Sequence, residues 1–303
     1  MEKSLPGSFH ATYEFCSTHW RGLIAASLLP VGVIAIVTTL SWIYMGDLLS
    51  AAMFSRFNQT IEFKQHLISL MGTAWLKLVL LGLISFFATA WHFTRVAQYR
   101  RDENVSLFGI RKGEFTSVAN LIGYYIAISL LIALCYLGLA FVVLIVGLIV
   151  RAIFGEGVIM WLIVAPVVLA AFLLLVIIFM RFALAFPQVA LGRWPNIFSQ
   201  MFPLAKGEVW SGFWRLLLLI GGFVIFGFIL QLIFVMPIAS QFSDQLFDSS
   251  GAIDAETISR ISIALVPYGV IAQIFGAFAV TITTVLLVEM NFRLLQKKSS
   301  STR

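Results

Sequence analysis

Long windows free of Asp, Glu, Lys and Arg recur six times along the chain: Gly22 to Gly46, Leu78 to Val96 (broken only by Arg95), Phe115 to Val150, Val158 to Met180, Leu216 to Ser243 and Ile261 to Val288. The second reaches outward past Lys77 to about Ser69. A helix needs about 20 apolar residues to cross a bilayer, and each window meets that length. Barrel strands are short and alternate apolar with polar positions, whereas "LLIALCYLGLAFVVLIVGLIV" (130–150) is apolar on every face. The pattern predicts an all-α polytopic membrane protein with six transmembrane helices, over about 22–46, 70–94, 120–150, 158–186, 213–238 and 262–290. These spans make three consecutive hairpins in one integral membrane domain covering residues 1–303.

Composition agrees with the pattern. Of 303 residues 60% are hydrophobic and 11% charged, and the mean hydropathy is +0.99, far from globular averages. The first window is longer than the apolar core of a cleaved signal peptide and follows a polar and aromatic leader, so it is expected to stay as an anchor. Cys16 sits in that leader and Cys135 inside the third span, two different depths, so no disulfide is expected between them.

The basic residues set an orientation. Fifteen of the 20 Lys and Arg fall in one set of segments: Lys3 and Arg21, Arg95 to Lys112, Arg181 to Arg215, and Arg293 to Arg303. The opposite set holds Arg56, Lys64, Arg151 and Arg260, with Lys77 inside a span. The positive-inside rule then places both termini in the cytoplasm. In "FMRFALAFPQVALGRWP" (179–195), Arg181 is expected to snorkel to the headgroups and "FALAF" to carry the helix into the interface. Pro187, lacking an N–H, stops it there. Arg181, Arg193, Trp214 and Arg215 are candidate lipid-phosphate contacts, because a planar guanidinium binds phosphate in two-point fashion.

Each even-numbered span ends with an aromatic residue and an arginine: "WHFTRV", "IFMRFA" and "MNFRLL". Trp20-Arg21 and Trp214-Arg215 open the first and fifth spans, which suggests hairpin repeats over 4–95, 96–186 and 193–293. Interfacial enrichment of Trp and Arg accounts for the same pattern without a repeat. In the leader, Phe9, Tyr13, Cys16 and Trp20 share one side of a helix. Asn196 is a suitable cap for a short apolar segment containing Ile197, Phe198, Met201 and Phe202. Both segments are predicted as short interfacial helices on the cytoplasmic side.

Candidate chemistry is sparse. No metalloprotease, nucleophile-elbow or phosphate-loop motif is present, and the four histidines (His10, His19, His66, His92) are scattered. No catalytic residue, cofactor or metal is expected. Of the intramembrane polar residues, Lys77 is near enough to the outer boundary to snorkel, and Glu289 has Arg293 as a pairing partner one turn on. His92, near the cytoplasmic end of its span, is expected to hydrogen-bond to backbone or headgroup. Gln231, Gln273, Thr281, Thr283 and Thr284 read as polar glue between helices.

The stretch "RFALAFPQVALGRWPNIFSQMFPLAKGEVWSGFWRLL" resembles a pattern in poorly characterised bacterial inner-membrane proteins, carried here by Arg181, Pro187, Ser199, Lys206, Gly207, Trp210 and Trp214. That group is similar to the membrane domain attached to some glycerophosphodiester phosphodiesterases. The resemblance implies a multi-pass domain of the bacterial inner membrane without the catalyst, since the hydrolytic chemistry of the fused proteins belongs to a separate soluble domain.

The expectation is therefore a non-enzymatic protein that binds, organises or moves a lipidic or amphipathic ligand in envelope homeostasis, with anionic membrane lipids as partners and no nucleic acid. A small-solute transporter or channel is one alternative. A membrane anchor or regulatory subunit, contacting another protein through loop two (Arg100 to Glu103) or the C-terminal tail, is a second.

Overall fold

The computed structural model describes residues 7–54, 61–102, 113–155, 157–193, 209–246 and 255–301. Among them the chain is helical and holds no strand. In chain order the helices are α1 (Gly7–Thr18), α2 (Trp20–Phe54), α3 (Ile61–Asp102), α4 (Glu114–Phe154), α5 (Val158–Ala183), α6 (Phe186–Ala190), α7 (Val209–Leu246) and α8 (Ala255–Ser301). Six of these, α2 to α5, α7 and α8, are long and apolar enough to cross a membrane, in the order the hydropathy pattern predicts. The protein is an all-α polytopic membrane protein. Ile126, Leu130, Leu134, Leu137 and Phe141 of α4 are exposed, and in a bilayer this surface meets acyl chains.

Two compact units, each built from separated segments, make up the chain. The first comprises residues 1–19, 111–218 and 283–303; the second comprises 20–110 and 219–282. Helices α7 and α8 thus contribute to both.

In the first unit, α4 packs on α5 and α6. Phe182, Leu184, Ala185, Val189 and Ala190 are buried, as are Val118, Leu121 and Tyr124 of α4 and Val285, Leu286 and Met290 of α8. The Tyr124 and Phe186 rings meet edge-on at 5.5 Å. A side chain at Gly212 would press on the methyl ends of Met290 and Met180, so this glycine lets α7 approach closely. Gly155 ends α4 at φ 69° with its N–H on Arg151 O at 2.9 Å, a conformation that favours glycine.

In the second unit α2 and α3 form an antiparallel pair. At its base the Tyr99 ring occupies the space a Gly22 side chain would need. Trp42 of α2 lies over Gly269 of α8 in the same manner, and Phe275 of α8 packs on Phe226 and Phe223 of α7 at 4.8 and 5.7 Å between ring centroids. Close backbone approach at glycine, filled by an aromatic ring, is how helices associate where lipid provides no hydrophobic drive.

Candidate functional site

Each unit buries a polar cluster between helices. In the first, the opening turn of α1 meets the start of α7 and the end of α8. Arg215 of α7 is buried and donates from Nη1 to Ser8 Oγ at 3.2 Å, while Thr12 Oγ1 donates to Ser8 O at 2.7 Å. The guanidinium of Arg293 lies against Gly7, leaving no room for a side chain there. Its Nε donates to Glu289 Oε1 at 3.0 Å, the pairing expected from the one-turn spacing. Two arginines from two helices therefore converge on the first turn of α1, the positive end of its dipole.

The same unit explains the stretch around Arg181. Arg181 is half-buried in the last turn of α5, and the four residues after it are all buried. "FALAF" does not continue α5: the helix stops at Ala183, the chain turns through Leu184 and Ala185, and α6 begins. Pro187 removes the N–H that would continue α5. Asn291 Nδ2 captures the carbonyl of Leu184 at 2.6 Å, and Gln188 Nε2 donates to Asn291 Oδ1 at 3.4 Å. The turn stays inside the protein because α8 supplies the missing donor. Arg193, just beyond the turn closed by Gly192 at φ 76°, is exposed. Trp214 is also exposed, with Phe213 stacked edge-on between it and Trp210.

In the second unit His92 is completely buried, and its Nε2 lies 2.9 Å from both Ser27 Oγ and Thr281 Oγ1. Thr281 also donates to Ala277 O at 2.8 Å, which orients its hydroxyl as an acceptor toward the imidazole. Three helices, α2, α3 and α8, are tied by one side chain. His92 thus bonds side chains of other helices in place of the backbone or headgroup its sequence position suggests, and the signal for this is that His92, Ser27 and Thr281 each lie within a span. Arg95 is likewise completely buried, 5.9 Å from the Trp91 ring centroid. The aromatic-arginine endings of the even spans are thus packed positions.

Of the other candidates, Lys77 is exposed and its Nζ sits 4.7 Å over the ring of Tyr44. Gln273 is half-buried. Gln231 is exposed and, with Tyr268, lines a cavity of about 340 Å³ between α7 and α8. Cys16 and Cys135 form no disulfide. No group of three His, Cys, Asp or Glu among the described residues is placed to hold a metal. The predicted short helix after Asn196, the Trp194 side chain, Ser199, Lys206, Gly207, and most of loop two lie outside the described residues. The chain matches no protein-family model, no curated protein and no solved structure.

Proposed function

We propose that this is a bacterial inner-membrane protein, with both termini in the cytoplasm, that binds, organises or moves an anionic lipid or a similar amphipathic ligand and carries out no catalysis. We also propose kinship with the membrane domain attached to some glycerophosphodiester phosphodiesterases, on the Arg181-to-Trp214 pattern. The observation that carries the reading is the division of labour at the basic end of the first unit. Arg215 is held by Ser8 and Arg293 by Glu289, while Arg193 and Trp214 remain exposed. An exposed guanidinium and indole at the end of apolar spans match the charged headgroup and the glycerol region of a lipid. Arg181, half-buried nearby in sequence, is the third member of this set.

Native mass spectrometry of the protein extracted gently from its own membrane tests the reading. A retained anionic phospholipid is expected, reduced severalfold in a variant with Arg181→Gln and Arg193→Gln. Retained lipid unaffected by those substitutions overturns the assignment of the arginines. A lipid-free protein bound to a stoichiometric partner overturns the lipid reading in favour of a membrane subunit.

A further inference from the structure

The cavity between α7 and α8 in the second unit has polar groups at one end only. Its walls are Val224, Gly227, Phe228, Leu230 and Gln231 of α7 with Tyr268, Ala272 and Phe275 of α8. Its volume, about 340 Å³, lies at the small end of the range for ligand sites, about 300–1,000 Å³.

The two helices run in opposite directions, so depth can be read along both. The apolar span of α7, Val209–Ile238, has 30 residues, about 45 Å at about 1.5 Å per residue. Its midpoint falls at Phe223 and Val224. Gln231 then lies about 11 Å from the midplane, just inside a hydrocarbon half-thickness of about 15 Å, on the side opposite the arginine-rich end. Phe228 and Val224 follow one and two turns deeper. On α8, Tyr268 lies near the start of the span Ile263–Gln296, and Ala272 and Phe275 again follow one and two turns deeper. Both walls place hydrogen-bonding groups at the level of the glycerol esters and only hydrocarbon toward the midplane.

Neither polar group is used by the fold. Among the described residues, the amide of Gln231 and the hydroxyl of Tyr268 make no hydrogen bond. At the depth of Gln231 no bulk water replaces a missing partner, and an unsatisfied amide there costs several kcal/mol. In the same unit Ser27 Oγ, His92 Nε2 and Thr281 Oγ1 are engaged with one another, as Gln231 and Tyr268 are not.

We infer that this cavity binds one acyl chain of a glycerolipid from the leaflet opposite the arginine-rich end. Gln231 Nε2–H and Tyr268 Oη–H donate to the chain's ester carbonyl, and the first methylenes lie along Phe228, Gly227, Ala272 and Phe275. The site carries no charge, so it reads the ester and the chain and is indifferent to headgroup charge. Gly227 keeps the wall open: a side chain there would meet Phe275 only at ordinary contact distance, leaving room that a larger residue fills.

The full-length protein in zwitterionic phosphatidylcholine nanodiscs, with a small fraction of phosphatidylcholine bearing a diazirine near its ester, provides the test. Photocrosslinks are expected at 224–231 and 268–275. Gln231→Leu with Tyr268→Phe should reduce them about fivefold to tenfold, the loss of one or two hydrogen bonds. Gly227→Leu should abolish them by filling the space. A diether competitor, which lacks the ester carbonyl, should displace the probe less well than its diester counterpart by a similar factor. Crosslinks absent from these segments, or unchanged by both variants, overturn the inference. So does disulfide capture between two copies carrying Gln231→Cys, which makes this face a contact between protomers. The arginine variants above leave this crosslink intact, so failure of either reading is distinguishable from failure of the other.

Discussion

The polar cluster of the first unit is built on two arginines and a glutamate, whereas that of the second centres on an imidazole between two hydroxyls, with buried Arg95 one turn nearer the end of α3, although α8 passes through both. Glu289 and Arg293 lie in its last turns, while Thr281 lies eight residues, about 12 Å, nearer the middle of its span. Near the helix end, headgroups and water lower the cost of charge, so arginines can hold α1 onto α7 and α8. Deeper in, charge is expensive, and the same task of tying separate segments falls to an imidazole between two hydroxyls. Depth, more than sequence neighbourhood, selects the chemistry used to join helices.

Removing the centre of the imidazole cluster gives the largest expected effect. His92→Ala leaves a cavity where α2, α3 and α8 meet and deletes two interhelical hydrogen bonds, a loss of about 2–4 kcal/mol. Denaturant titration in mixed micelles reads it, and a stability equal to wild type would show that this cluster does not hold the unit together. Gly22→Val tests close packing in the same unit. The new side chain displaces Tyr99 and should cost about 1–3 kcal/mol, partly recovered when Tyr99→Ala is added; no recovery would place the strain elsewhere.

In the ionic cluster the expected losses are smaller. Ser8→Ala takes an acceptor from buried Arg215 and should cost about 1–2 kcal/mol, with faster maleimide labelling of Cys16 as α1 loosens. Unchanged labelling would mean that Ser8 does not pin the helix. Glu289→Gln removes an ion pair in which both side chains retain some exposure, a loss of about 1 kcal/mol that should shrink with added salt. Lys77→Met should matter least, about 0.5–1 kcal/mol for its contact with Tyr44. A larger loss at Lys77 than at His92 would reverse the ordering by depth.

Much of this was legible from residue order. The six spans follow from runs of apolar residues because a helix in lipid must satisfy its own backbone and present hydrocarbon outward, a local requirement visible in any 20-residue window. The Glu289–Arg293 pair was visible too, because helical periodicity brings residues four apart together. The fate of Arg181 was not. Whether the chain leaves the protein after Pro187 depends on Asn291, more than 100 residues away, delivering a donor to Leu184 O.

The uncharged groups divide the same way. Composition marked His92, Thr281, Gln231 and Gln273 as polar residues inside or near the ends of apolar spans. Packing then gave His92 its two hydroxyl partners and left Gln231 facing a cavity with Tyr268. A span's sequence determines its depth and its need for partners, since both are properties of one helix. Which needs are met is decided by the contacts of separate helices, and only the tertiary structure distinguishes the imidazole nitrogen held by two hydroxyls from the amide still open to a ligand.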